Sequence, residues 1–361
     1  MKVVLDTNII FSDFHFKGAK IKNLCESIKS TGNTVYIPEV VIDESINKYR
    51  EELQSGKVKI ERGLSDVYRL TGKDIYDPSI VDTFISNEIK NYAKNIREQI
   101  KKLGIKTIPY PTITHEELVM RDLARKRPFQ ESGKGYRDAL IWMSVLSICE
   151  RTSDIFYEPK LAFITKNHND FCKSDFSLHP DLKEDLVRNG ATENYIKIIE
   201  DIDTFINDYI KPKQKILKNI LDKLNVRKQY NDIDLNDEVE NRLSKFLLHR
   251  DFDEDSPFRK EFENPSVVGI DEPSIKINDV RQISDDEILI EVGIEVDCEF
   301  DFYIFKSDAY CMDEDELPHI WNNDWNKHYM AASETAMITL KMFLIVDSGF
   351  NEVLSDEICI L

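Results

Sequence analysis

Lys2-Val3-Val4-Leu5-Asp6-Thr7-Asn8 is the stretch on which the fold turns. Its short apolar run reads as a buried strand, and it ends abruptly on Asp6. Working outward, a helix over about 19–30 puts Ile21, Leu24, Cys25 and Ile28 on one face. A strand at 35–37 leads to Pro38, which suits the first turn of a helix. That helix runs to about residue 53, turns Val41, Ile42, Ile46 and Tyr49 inward, and carries Glu44 near its middle. Residues 57–127 read as mostly helical and strongly charged, with one long helix at 79–103. Gly133-Lys134-Gly135-Tyr136-Arg137-Asp138 then opens an apolar helix at 139–149. Short buried strands at 161–165 and 196–199 follow, and a helix at about 201–210. Strands that alternate with helices predict an α/β fold with a parallel sheet over residues 1–210, interrupted by a helical insertion at about 50–130.

The rest of the chain has a different character. Residues 1–230 hold 38 Lys and Arg against 34 Asp and Glu, whereas residues 231–361 hold 10 against 33. So large an asymmetry points to a domain boundary near 210–260. Residues 211–264 read as a helical connector, with helices at 213–225 and 237–249, followed by an acidic linker that holds Pro257 and Pro265. From Ser274 the pattern turns to strands. In 288–296, Ile288, Ile290, Val292, Ile294 and Val296 alternate with Glu291 and Glu295, the period of a half-buried antiparallel strand. Further strands are expected at 300–305 and 336–346, giving a second, smaller antiparallel α+β domain over 265–361. Its carboxylates exclude it as a phosphate-binding surface. It is expected to bind a regulatory protein partner, to make a homo-oligomer, or to cover the basic insertion. Trp321, Trp325 and Tyr329 are candidates for an interface.

Some classes are excluded at once. No stretch approaches the roughly 20 apolar residues of a membrane span, and nothing at the N-terminus reads as a secretory leader. The six cysteines (Cys25, Cys149, Cys172, Cys298, Cys311 and Cys359) form no CxxC pair and no cluster with histidine. Neither a zinc site nor a disulfide framework is indicated, and free thiols fit a cytoplasmic setting.

The informative feature is the placing of the acids. Asp6 follows the first strand, at the end where open parallel sheets bind ligands. Glu44 sits on the helix after the second strand, and Asp138 opens an apolar helix, where it is also a candidate N-cap. Asp170 follows the strand at 161–165. Four carboxylates brought to one crevice repel one another, and a divalent cation removes the repulsion. Oxygen donors of this kind suit Mg²⁺ or Mn²⁺.

These residues resemble the PIN-domain nucleases. Val4-Leu5-Asp6-Thr7-Asn8 is similar to the family's opening motif, and Pro38-Glu39-Val40-Val41-Ile42-Asp43-Glu44 to its second acidic motif, with Glu44 at the ligand position. Gly135-Tyr136-Arg137-Asp138-Ala139-Leu140-Ile141-Trp142 resembles the third, with Asp138 as ligand. Phe163-Ile164-Thr165-Lys166-Asn167-His168-Asn169-Asp170-Phe171 resembles the fourth, although many members carry aspartate where this chain has Asn167. The resemblance implies a PIN-like parallel sheet flanked by helices and metal-dependent cleavage of phosphodiesters, most often in RNA. Asp6, Glu44 and Asp138 would hold one or two metal ions, and Asp170 would complete a second shell. Asn8 would orient Asp6 or the phosphate. It also implies, more distantly, a toxin or phage-defence role. A structure-specific DNA nuclease and an inactive scaffold that binds a protein partner are the competing expectations.

A nucleic-acid partner needs cations. Residues 90–137 hold 12 Lys and Arg against 5 Asp and Glu. Lys90, Lys94, Arg97 and Lys101 recur at three- and four-residue spacing on one predicted helix face. Arg121, Arg125, Lys126 and Arg127 form a second cluster, and Lys134 and Arg137 flank Asp138. Such residues would position a phosphate backbone. Tyr136 and Trp142 are expected in the core, Glu39 and Asp43 in solvent, and His15 and His168 are assigned no role.

Overall fold

The computed structural model describes residues 1–361 apart from 74–76, 131–132, 152–158 and 253–261. Most of the expected acidic linker lies outside the described residues. The chain divides into two compact units, Met1–Lys213 and Gln214–Leu361.

In the first unit, β1 (Lys2–Leu5), α1 (Thr7–Ile10), α2 (Ala19–Ser27) and β2 (Thr34–Pro38) are followed by α3 (Glu39–Thr71) and α4 (Pro78–Lys102). Then come β3 (Lys106–Ile108), α5 (His115–Leu123), α6 (Tyr136–Ser147), β4 (Leu161–Ile164), α7 (His168–Phe171), α8 (Pro180–Arg188), β5 (Ile196–Ile199) and α9 (Ile202–Phe205). The strands form one parallel sheet in the order β3-β2-β1-β4-β5. Val3, Val4, Leu5 and all of β4 are fully buried, as strands covered on both faces must be. Strand order reverses between β1 and β4, so the crevice for a ligand lies beyond the ends of these two strands.

Two local expectations are corrected. The helix after β2 continues to Thr71, well past residue 53, because no proline stops it and Gly72 closes it in a left-handed conformation (φ 64°). The insertion is not helical throughout. Lys106–Ile108 adds a fifth, edge strand to the sheet, and only Ile108 of its three residues is buried, which leaves little hydrophobic signal.

The second unit takes in most of α10 (Lys211–Arg227). The short strands β6 (Gln229–Tyr230) and β7 (Ile233–Asp234) and α11 (Leu235–Leu247) follow. Its sheet comprises β8 (Phe262–Ile270), β9 (Ser274–Gln282), β10 (Glu287–Phe305), then, after α12 (Lys306–Ala309), β11 (His319–Asn322), β12 (Tyr329–Asp347) and β13 (Val353–Ile360). β10 and β12 pair antiparallel over 19 residues, from Glu287 opposite Asp347 to Phe305 opposite Tyr329. The strands expected at 288–296 and 300–305 are thus one strand, since the alternation never breaks: every even residue from Ile288 to Ile304 is buried. The helices of 211–264 are not a free connector. Leu217, Ile220, Leu224, Val239, Leu243 and Leu247 join the buried face of β10 and β12 in one core. Pro265 lies within β8, at the end of the sheet path, where a missing N–H is tolerated. Trp321 and Trp325 are about half exposed, and Trp325 stacks on Tyr303 with centroids 5.3 Å apart.

One buried ion pair ties three helices of the first unit together. Arg121 on α5 donates to both oxygens of Asp185 on α8, at 3.1 and 2.5 Å, and Trp142 Nε1 on α6 donates to the same carboxylate at 2.9 Å. Arg121 and Asp185 are each 8% exposed. Removal of the acid alone leaves the buried guanidinium with the Arg127 carbonyl but no counter-charge, and the indole N–H unpaired. Asp185→Ala is expected to cost about 3–5 kcal/mol in urea unfolding, and Arg121→Met in the same chain to restore much of the loss. A cost below about 1 kcal/mol for Asp185→Ala would show that the pair does not hold the helices.

Candidate active site

The site is built on the parallel pairing of β1 with β4. Asp6 N–H donates to Ile164 O at 3.1 Å, which brings the residue after β1 beside the residue after β4. Thr165 Oγ1 then donates to Asp6 Oδ2 at 2.5 Å. Asp6 is also the N-cap of α1, accepting from Thr7 N–H at 2.7 Å. Asn8, one residue on, donates to Asp6 Oδ2 at 2.7 Å and accepts from Lys166 N–H at 3.0 Å, bridging the two strand ends. Asp6 is therefore held by three donors while only 3% exposed.

The other acids come to the same edge by different routes. Glu44 lies little more than a turn into α3, and its side chain is 19% exposed. Thr7 Oγ1 donates to its Oε2 and Arg137 Nη1 to its Oε1, each at 2.7 Å. Asp138 is in the first turn of α6 and does not cap it; the cap position is Gly135. Gly135 sits at φ +112°, and an added Cβ would press on the Pro128 carbonyl and lie 2.9 Å from Phe129 Cα, so the entry into α6 requires glycine. Asn167 Nδ2 donates to Asp138 Oδ1 at 3.2 Å. As an amide, Asn167 adds a hydrogen bond to the cluster and no further charge. Asp170 is buried in α7 and accepts from Gln130 Nε2.

The charges feel one another. Burial, reinforced by Asp138 and Glu44, raises the Asp6 carboxyl to about 7, against the pull of the Thr165 and Thr7 hydrogen bonds. Burial, then Asp170 and Glu44, raise Asp138 to about 6, opposed by Asn167. Burial first, and the company of like charges second, leave these carboxylates with too little positive charge around them. Among the described residues, no three acidic, His or Cys side chains stand close enough to enclose an ion as they are. Their oxygens are engaged by donors from Thr7, Asn8, Thr165, Asn167, Gln130 and Arg137. The donor set, all carboxylate oxygen, is that of a hard divalent cation, and its raised pKa values mark the charge such an ion would balance.

Thr7, Thr165 and Gln130 were not singled out in the sequence. Thr7 and Thr165 stand inside the quoted motifs, next to residues that were. Gln130 has no sequence signal, because it lies 40 residues from Asp170 in an irregular segment. The expected basic residues divide. Arg97 is spent on Glu39, at 3.0 and 2.7 Å, and on Asp43, at 3.2 Å; Tyr110 also donates to Asp43. Glu39 and Asp43 are therefore paired, where solvation was expected. Arg125 pairs with Asp122, Arg127 donates to Asn169 O, and Arg121 is the core residue described above. Lys94 lies 3.7 Å from Glu98. Lys90, Lys101 and Lys134 are exposed. Arg137 is 64% exposed at the mouth of the site. Trp142 is fully buried as expected, but Tyr136, expected in the core, is 47% exposed beside Arg137.

A pH dependence follows. The native state keeps the Asp6 proton up to about pH 7, whereas an unfolded aspartate loses it near 3.8. The native state thus holds more protons between these values, and its stability falls as pH rises through that window. Asp6→Asn removes the titration. Between pH 5 and pH 8 the parent is expected to lose about 2–3 kcal/mol relative to Asp6→Asn in denaturant unfolding without added metal. A difference that does not change with pH would contradict the burial and crowding of Asp6.

Residues 3–171 match the family model described as PIN domain. The match covers all four acidic segments, from within β1 to the end of α7. No curated protein and no solved structure matches the chain. PIN domains generally use divalent metal ions and act on nucleic acids. With the parallel five-stranded sheet and the acids gathered at its C-terminal edge, the match establishes residues 3–171 as a PIN domain, a member of the PIN-domain nuclease family.

Proposed function

We propose that this chain is an Mg²⁺- or Mn²⁺-dependent endonuclease with RNA as its favoured substrate. The observation that carries the proposal is the gathering of Asp6, Glu44, Asp138 and Asp170 at one sheet edge, two of them with strongly raised pKa values. Asp6, Glu44 and Asp138 would hold the ion, and Asp170 would complete a second shell. A cation held there supplies the charge that acidifies an attacking water and offsets charge on the leaving oxygen.

The chain's own residues do the rest. Thr165 and Asn8 fix the Asp6 carboxylate between the two strand ends, and Asn167 fixes Asp138. Arg137 bonds Glu44 and is exposed enough to reach a substrate phosphate at the mouth of the site. Lys134 beside it, and Lys90, Lys94 and Lys101 along α4, would contact the phosphate backbone without reading sequence. Arg97, Arg125 and Arg127 reach substrate only by leaving their present partners. RNA is favoured over DNA because of the family. A toxin or phage-defence role in the cytoplasm, and a homo-oligomeric or regulatory contact through the acidic unit, belong to the same proposal. Among the described residues no helix is long and apolar enough to cross a membrane.

A second reading, a PIN scaffold that binds a protein partner without cutting, is favoured by one observation: both oxygens of Glu44 are occupied by Thr7 and Arg137. Cleavage decides between the two. Purified full-length protein is expected to cut labelled single-stranded RNA with Mn²⁺ or Mg²⁺ and not with EDTA. Asp6→Asn and Asp138→Asn are each expected to lower the rate by about 100-fold or more, roughly 2.7 kcal/mol of barrier. Stronger cutting of flapped DNA than of RNA would move the assignment to a structure-specific DNA nuclease. Silence on every substrate with either metal would favour the scaffold.

A further inference from the structure

Beside the carboxylates, on the far side of α1, lies an aromatic cleft that the proposed chemistry does not use. Phe14 and His15 follow α1, and Tyr49 and Tyr92 face each other from α3 and α4. The two tyrosine rings stack with centroids 3.9 Å apart and planes 18° from parallel. His15 stands edge-on to both, 5.8 Å from each, and Phe14 lies edge-on to Tyr92 at 6.3 Å. Tyr92 OH donates to Phe14 O at 2.8 Å, which pins the loop after α1 to α4. Between loop and helix is a cavity of about 130 Å³ with Phe14, His15, Tyr92 and Ile96 among its walls. Tyr92 and Ile96 are buried, and His15 is exposed at the opening.

The edge of this cavity is polar in a specific way. Asn95 and Gln99 line it, one helical turn apart on α4, so their amides point along the same face. Asn95 is exposed and Gln99 half-buried, and among the described residues neither side-chain amide bonds another protein group, so both are open to a ligand. Lys17 and Glu98 also line the opening, and Glu98 lies 3.7 Å from Lys94. Apolar walls of aromatic rings, with unpaired amides at one edge, suit a flat heteroaromatic ring that carries donors and acceptors on its rim. Unstacked bases of single-stranded RNA are recognised in this way, and an Asn or Gln amide pairs in bidentate fashion with N6 and N7 of adenine.

The position fits a substrate strand. Tyr49, which stacks on the Tyr92 of the cavity wall, follows Glu44 by five residues on α3, about 7.5 Å along the helix axis. Thr7, at the start of α1, bonds Glu44, and the loop at the other end of α1 forms the cleft wall. We propose that the cleft between the Phe14–Lys17 loop and α4 is a nucleobase pocket that takes an unpaired base of the substrate strand near the carboxylates, with adenine preferred. The inference rests on the nuclease reading for its purpose, and on the cavity and its unpaired amides for its chemistry.

The test is binding of free nucleotides, which requires no cleavage. The full-length protein is titrated with the 5′-monophosphates of adenosine, guanosine, cytidine and uridine while the side-chain amide resonances of Asn95 and Gln99 are followed by NMR. Adenosine monophosphate is expected to shift both saturably and at the lowest concentration. Asn95→Ala and Gln99→Ala, on a helix that alanine favours, are each expected to weaken its binding about tenfold. Equal responses to all four nucleotides, or undiminished binding by Asn95→Ala and Gln99→Ala, would overturn the pocket, even if the protein cuts RNA. Adenosine binding that meets these expectations in a protein that cuts no nucleic acid would keep the pocket and remove the nuclease reading.

Discussion

The parallel pairing of β1 with β4 is the constraint on which the site depends. These two short strands lie more than 150 residues apart, and their register sets Leu5 against Ile164. Once that register is fixed, the next residue of each strand must emerge at the same edge, and Asp6 meets Thr165. The chain leaves in opposite directions from this point: β2 and β3 lie on one side of β1, β4 and β5 on the other. The crevice opened by that reversal receives α3 and α6, and with them Glu44 and Asp138. A slip of one residue would turn every side chain of β1 to the other face of the sheet, so the core itself keeps Asp6 in place.

Within the crevice, charge governs geometry. Four carboxylates share one sheet edge, and Arg137 is the cation bonded to one of them. Burial and crowding raise Asp6 and Asp138, while hydroxyl and amide donors from Thr7, Thr165, Asn8, Asn167 and Gln130 engage the oxygens. The arrangement is one that a divalent cation would tighten. Asn167 has a definite part in it: as an aspartate it would add a fifth negative charge next to Asp138, and as an amide it donates to that carboxylate.

The sheet and the four acids were legible in the sequence because their signals are local. Buried parallel strands are short continuous apolar runs, and each acid follows such a run or opens a helix beside one. β3 escaped because an edge strand of three residues with two exposed side chains has no hydrophobic pattern. The continuity of β10 was legible, since its even positions are apolar without a break from Ile288 to Ile304, but the acidic residues between them at 295–301 disguised it as two strands. The basic residues were the least legible. Charge in sequence does not distinguish Arg121, spent on buried Asp185, or Arg97, spent on Glu39 and Asp43, from exposed Lys90 and Lys134. Gln130 and the aromatic cleft depend on contacts between distant segments, such as Phe14 with Tyr92, which no spacing encodes.

The central claim is that this carboxylate cluster takes up a divalent cation. Calorimetric titration of Mn²⁺ into the full-length protein, repeated in two buffers of different ionisation enthalpy near pH 6.5, tests it most directly. With Asp6 and Asp138 partly protonated before binding, the account predicts saturable uptake accompanied by proton release, abolished by Asp6→Asn and by Asp138→Asn. Absence of saturable uptake, or uptake that both variants retain, would contradict it.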